Sequence, residues 1–271
     1  MTFPSLVTLI GDVVTFLVGV PIVYLIARAL KLRPKPIAIS DPKREATIAL
    51  LLFVAIIAAV AVWRTFVFKI YIPAFQLGSH FLSGSQAGQT IDSYDILAWL
   101  LVYSVMILLV ALAMRRTGQK LGSIGISRKD LGKSTVLGFL MSIILIVIYT
   151  LVLPYLGMKF VGYSPTLLYG IALFTMVGFS EETVFRGYIQ TRLTARFGNV
   201  RGLVVTSLLF ALYHYPVSYY QISGDILGSL ASALLRFFPG LLLGYIMVKS
   251  QNLVAPSVFH AFFDYAGILW H

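Results

Sequence analysis

Apolar runs divide this chain into eight stretches, at about 5–27, 46–68, 95–114, 134–156, 165–190, 201–216, 226–248 and 253–270. Each approaches the roughly 20 mainly apolar residues that a helix needs to cross a bilayer. The pattern therefore predicts an all-α fold, a polytopic membrane bundle of about eight transmembrane helices. No repeat, low-complexity segment or composition shift divides it, so residues 1–271 are read as a single transmembrane domain. The N-terminal run lacks a basic leader and leads into a long basic loop, which predicts a retained helix rather than a cleaved signal. The stretch 70–94 is polar and rich in Gly, Ser and Gln, with Tyr71, Phe75 and Phe81 placed to meet the membrane interface. The sequence Tyr215-Pro-Val-Ser-Tyr-Tyr220 reads as a turn in an outer aromatic belt.

Composition supports this reading and removes others. Hydrophobic residues make up 59% of the chain and charged residues 11%, with a mean hydropathy of +0.90. A soluble domain carries about 25% charged residues. The net charge is +11, which in a soluble protein would point to nucleic acid. Here the basic residues follow the membrane pattern instead, and no nucleic-acid partner is expected. Seventeen of the 21 lie in or beside the loops after the first, third, fifth and seventh stretches. The other four are Arg64, Lys69, Lys159 and Arg236. Such a bias marks those loops as cytoplasmic and puts both termini outside, and the expected location is the cell membrane. There is no cysteine, which removes disulfides, thiolate catalysis and thiolate metal sites.

Against this apolar background a few ionisable groups lie at membrane depth, where each is a functional-site hypothesis by default. They are Asp12, Glu181, Glu182, Arg186, His214, His260 and Asp264. Asp12 has no evident partner. Glu182 and Arg186 are four residues apart, as are His260 and Asp264, so each pair shares a helix face. Glu181 is turned by about 100° from Glu182 and can address a different neighbour. At about 1.5 Å per residue, Glu181, His214 and His260 all reach the middle of the bundle from the basic loops. A carboxylate and two imidazoles at one depth can hold a water, take its proton and stabilise an oxyanion. Their types would also suit zinc, with Glu181, His214 and His260 as ligands, although the H-E-x-x-H spacing is missing. No serine lies in a G-x-S-x-G elbow, and Ser180, in principle a nucleophile beside Glu181, is of a kind that more often bonds back to its own helix.

At these residues the sequence resembles the CPBP intramembrane proteases, which group type II CAAX prenyl endopeptidases with bacteriocin-processing enzymes. The resemblance rests on Glu181-Glu182-x-x-x-Arg186, Phe210-x-x-x-His214 and His260-x-x-x-Asp264, with Gly240-Leu-Leu-Leu-Gly244 and Asn252-Leu-Val-Ala-Pro256 as the approach to the last motif. It covers about residues 165–268, the expected catalytic core. It implies an eight-helix bundle with a cavity open to the cytosol. It also implies that Glu181 activates water, that His214 holds the same water, and that His260 and Asp264 form the oxyanion site. Glu182 and Arg186 would shape and charge the site. No metal or other cofactor is expected in the glutamic-protease account. An ionised Asp264 cannot donate to an oxyanion, so Asp264 is read as orienting His260, with His260 as the donor.

The expected activity is hydrolysis of a peptide bond in a membrane-tethered substrate, either a CAAX-type prenylprotein or a leader or bacteriocin-like peptide. Membrane lipids are the other expected partner. The alternative is a non-enzymatic membrane protein: a transporter, an immunity factor or a scaffold. A transporter predicts an internal repeat with paired discontinuous helices, and neither is visible in the sequence.

Overall fold

A computed structural model describes residues 3–71, 91, 93–156, 159–160, 166–221 and 224–269. Phe75, His80, Phe81 and His271 lie outside the described residues. The first four predicted spans are α1 (Phe3–Ala29), α2 (Pro42–Phe66, continued by a π turn over Val67–Tyr71), α3 (Ser93–Thr117) and α4 (Leu131–Val152). Asp41 starts α2 by accepting a 3.1 Å hydrogen bond from Arg44 N, with Pro42 in the first turn, where its missing N–H costs nothing.

The later spans are less regular. The fifth consists of α5 (Thr166–Glu182), a π-helical segment (Thr183–Gln190) and α6 (Thr191–Phe197). The sequence predicts one α-helix to residue 190, and the structure differs from Thr183 onward. A π segment is a wider coil that recurs at functional sites, and here every one of its residues is buried.

The sixth span is α7 (Asn199–Tyr213), a break at His214 and α8 (Tyr215–Gln221). It therefore runs past its predicted end at 216, and the Tyr-rich stretch is helical rather than a turn. The seventh is α9 (Ile226–Leu234) and α10 (Phe237–Ser250), broken at Leu235–Arg236. Each break precedes a proline, Pro216 or Pro239, whose ring clashes with the carbonyl four residues before it. These interruptions fall in consecutive spans, not at corresponding places in two halves, so they do not form the repeat a transporter predicts. The eighth is α11 (Val254–Gly267).

Among the described residues, six of the spans are long and apolar enough to cross a membrane, and the protein is a multi-pass membrane protein. Leu17, Leu25, Leu51, Val62, Leu97 and Leu151 are exposed on their outward faces, as lipid contact requires. The fifth span lies at the centre. Its π segment touches α2, α3, α7 and α10. Helix α11 packs against α4 and α5 on the other side of the site. Two glycines set that approach. A Cβ on Gly138 would lie 2.6 Å from Ala255 O, and one on Gly178 would lie 2.8 Å from Ala261 N. Small residues at a membrane helix crossing let backbones meet in this way.

One end of the bundle ties the basic loops together. Asn252 Nδ2 donates to Ser127 O at 2.9 Å and to Lys129 O at 3.2 Å, and its Oδ1 accepts from Val254 N at 3.1 Å. The same residue therefore joins the loop after α3 to the start of α11. Ile37 N donates to Gln251 Oε1 at 3.2 Å, which adds the loop after α1. Two acids at helix starts, outside the sequence-based set of deep groups, are buried as well: Glu45 at 3% and Asp95 at 0% exposure. Glu45 Oε2 lies 3.5 Å from Arg192 Nε of α6. Tertiary contacts bury a group that its place at a helix end would leave exposed.

Candidate active site

Glu181 closes α5 on the face turned toward α3 and α7. Its Oε1 accepts from Tyr103 Oη at 2.9 Å and from Tyr213 Oη at 3.2 Å. Its Oε2 faces His260 Nε2 at 3.9 Å, too far for a hydrogen bond. One oxygen of this buried carboxylate is thus held by two phenols. The other is directed at an imidazole without being bonded to it.

Glu182, the next residue, turns to a different set of partners, as the helical rotation predicts. Its Oε1 accepts from Arg186 Nη1 at 3.0 Å and from His260 Nδ1 at 2.8 Å. Arg186 also donates from Nη2 to Gly240 O at 3.1 Å, and its guanidinium lies 4.2 Å from the centre of the Phe210 ring. Both Glu182 and Arg186 are inaccessible. Paired bonds and an aromatic face are what a guanidinium can satisfy and an ammonium cannot. The pair does more than pin the fifth span, because Glu182 also holds the ring of His260.

His260 stands between carboxylates. Besides Nδ1 on Glu182, its Nε2 lies 3.2 Å from Asp264 Oδ2, one turn on along α11. With both acids ionised, both ring nitrogens act as donors and the ring carries a positive charge. Asp264 is the open edge of the cluster: its side chain is 37% exposed, against 7% for His260.

His214 sits at the break between α7 and α8. Its Nδ1 is 2.8 Å from Phe210 O. A carbonyl only accepts, so Nδ1 carries a proton and Nε2 is the free nitrogen. Because the sixth span continues to Gln221, His214 lies within the span rather than at its end. Among the described residues His214 has no hydrogen bond to a site carboxylate. It joins the site through Phe210, whose ring centre is 4.8 Å from that of His214 and 6.1 Å from that of His260.

Five of the predicted site residues are therefore joined by direct contacts of 3.9 Å or less: Glu181, Glu182, Arg186, His260 and Asp264. The sixth, His214, shares an aromatic wall with them. Among the described residues no three His, Asp or Glu side chains are arranged to hold a metal ion. Tyr103 and Tyr213 are absent from the sequence-based set. The only local signal for them is a phenol in an apolar span, whose hydroxyl needs a partner once buried.

The comparisons with known proteins agree with the motifs. Residues 163–266 match the family model described as type II CAAX prenyl endopeptidase Rce1-like. The match contains all six predicted site residues and Tyr213, and leaves Tyr103 outside. No curated protein and no solved structure matches the chain. The stretch that runs from the fifth span through the eighth, with its Glu181-Glu182-x-x-x-Arg186, Phe210-x-x-x-His214 and His260-x-x-x-Asp264 motifs, is a domain of the CPBP/CAAX protease family.

Proposed function

We propose that this protein is a glutamic-type intramembrane endopeptidase that hydrolyses a peptide bond in a membrane-tethered substrate. The observation that carries the reading is the asymmetry of Glu181: Oε1 is engaged by Tyr103 and Tyr213, while Oε2 has no hydrogen bond among the described residues and faces His260 Nε2 at 3.9 Å. An unbonded oxygen on a buried carboxylate is suited to take a proton from water.

In this mechanism water adds to the scissile carbonyl as its proton passes to Glu181 Oε2. The free Nε2 of His214 accepts the second hydrogen of that water as a hydrogen bond. The carbonyl oxygen becomes an oxyanion, stabilised by an N–H of His260, which Glu182 and Asp264 hold in place. Collapse of the adduct breaks the C–N bond, and Glu181 returns the proton to the leaving nitrogen. Asp264 must release its share of His260 Nε2 for that nitrogen to meet the oxyanion. Its partial exposure leaves it room to do so. Residues 165–268 supply these groups and form the catalytic core.

The family match supports a prenylated CAAX protein that loses its last residues as the substrate, and a leader or bacteriocin-like peptide is the alternative. The site would sit in the cell membrane, with both termini outside and the basic loops in the cytoplasm. Purified protein should cleave a prenylated CAAX peptide or a member of a proteome-derived peptide mixture. Glu181→Ala and His214→Ala should each lower kcat by about 10²–10⁴-fold, the range of general acid–base catalysis. Proteolysis persisting in both variants would refute the site. Loss of activity on chelation, restored by zinc, would replace the glutamic mechanism with a metal-dependent one.

A further inference from the structure

We propose that Tyr103 and Tyr213 are positioning residues that clamp Oε1 of Glu181 and so fix Oε2 as the oxygen that meets water. This rests on the reading of Glu181 as the general base. The phenols come from two helices, α3 and α7, and converge on one oxygen at 2.9 and 3.2 Å. Both side chains are 2% exposed, so neither hydroxyl can exchange a carboxylate for bulk water.

The rings have little freedom. Tyr103 stacks on Trp99 with centres 5.4 Å apart, and Trp99 packs on Trp63 at 4.4 Å. Trp63 is itself fixed, since its Nε1 donates to Ala98 O at 2.9 Å. An aromatic column across α2 and α3 therefore holds the Tyr103 hydroxyl against Glu181. Tyr213 is held between Phe185 at 5.1 Å and His214 at 5.0 Å. Its hydroxyl has a second, weaker acceptor in Met106 Sδ at 3.7 Å.

A carboxylate offers two oxygens, and either can accept a proton if the group rotates about its Cγ–Cδ bond. Two donors on Oε1 oppose that rotation. They leave Oε2 facing His260 Nε2, the side on which His260 and Asp264 meet. A carboxylate without the clamp would keep its chemistry but spend less time in the reactive orientation, and orientation is a large part of catalysis. Tyr103 lies outside residues 163–266. The reacting geometry of Glu181 thus depends on an element that the family match does not include.

The test compares full-length wild type, Tyr103→Phe, Tyr213→Phe, the double variant and Glu181→Ala, all reconstituted in lipid nanodiscs. Each single Phe variant should lower kcat by about tenfold, as loss of a hydrogen bond to a charged group would. KM should stay within about twofold, because neither phenol is assigned to substrate. The double variant should depart from the product of the single effects, since the two donors share one acceptor. The infrared carboxylate band that Glu181→Ala removes should shift in each Phe variant, a reading available even for a variant of low activity. If Glu181→Ala is inactive while both Phe variants keep wild-type kcat and an unshifted band, the clamp is wrong and the general-base reading stands. If Glu181→Ala is active, the general-base reading fails first.

Discussion

At the scale of single residues, the site separates the two adjacent glutamates by what their oxygens touch. Glu182 gives its Oε1 to two basic side chains, Arg186 and His260, and its Oε2 is buried without a partner among the described residues, whereas Glu181 is held by two phenols and turns its Oε2 toward His260 Nε2. The neighbour of His260 at Asp264 is the position where the ionised form matters most. Only a carboxylate both accepts from His260 Nε2 and balances the charge of the ring, while an amide accepts without the charge. Asp264→Asn should therefore lower kcat by about tenfold, the size of one charge-assisted hydrogen bond. Full activity in Asp264→Asn alongside loss in Asp264→Ala, measured on the same substrate, would show that the charge is dispensable.

At the scale of elements, the site depends on how closely α11 approaches α4 and α5. Gly178 meets the α11 backbone one turn before Glu181 and Glu182, and on the α11 side the contact lies at Ser257 and Ala261, flanking His260. A side chain there must push α11 outward, carrying His260 with it. Backbone atoms at 2.8 and 2.9 Å from the added Cβ cannot rotate away as a side-chain end would. Gly178→Val should destabilise the fold by about 1–3 kcal/mol, as overpacking does. It should also lower activity by about 100-fold, because a displacement of an ångström in a reacting group has that effect. Helical circular dichroism and thermal unfolding measured beside activity separate the two. Activity retained with a lowered Tm would mean that His260 does not need this crossing.

At the scale of the whole molecule, the loops after α1, α3 and α10 meet at one end of the bundle, joined through Gln251 and Asn252. Loops that touch must lie on one side of the membrane. This agrees with the distribution of basic residues, from which that side is expected to face the cytoplasm. In a bacterial host, alkaline phosphatase fused after Gln119 should be inactive, and the enzyme fused after His271 should be active. The reverse pattern would invert the orientation and move the basic loops outside.

What local geometry and the bilayer dictate was legible in the chain before it folded. Span number follows from hydropathy and length, and the deep ionisable groups stand out because so few charges occur in the spans. The pairs Glu182–Arg186 and His260–Asp264 follow from helical spacing, and both are found in contact, at 3.0 and 3.2 Å. The structure alone decided the contacts that join residues distant in the chain. Tyr103 reaches Glu181 across 78 positions, and His260 reaches Glu182 across the same separation. Neither has a periodic signature. The π segment is invisible to propensity, since the same residues favour an α-helix. The breaks at His214 and Arg236 had a signal in Pro216 and Pro239, but only packing showed that the spans continue beyond them. Which oxygen of Glu181 stays free is likewise a tertiary fact, because it depends on donors brought by α3 and α7.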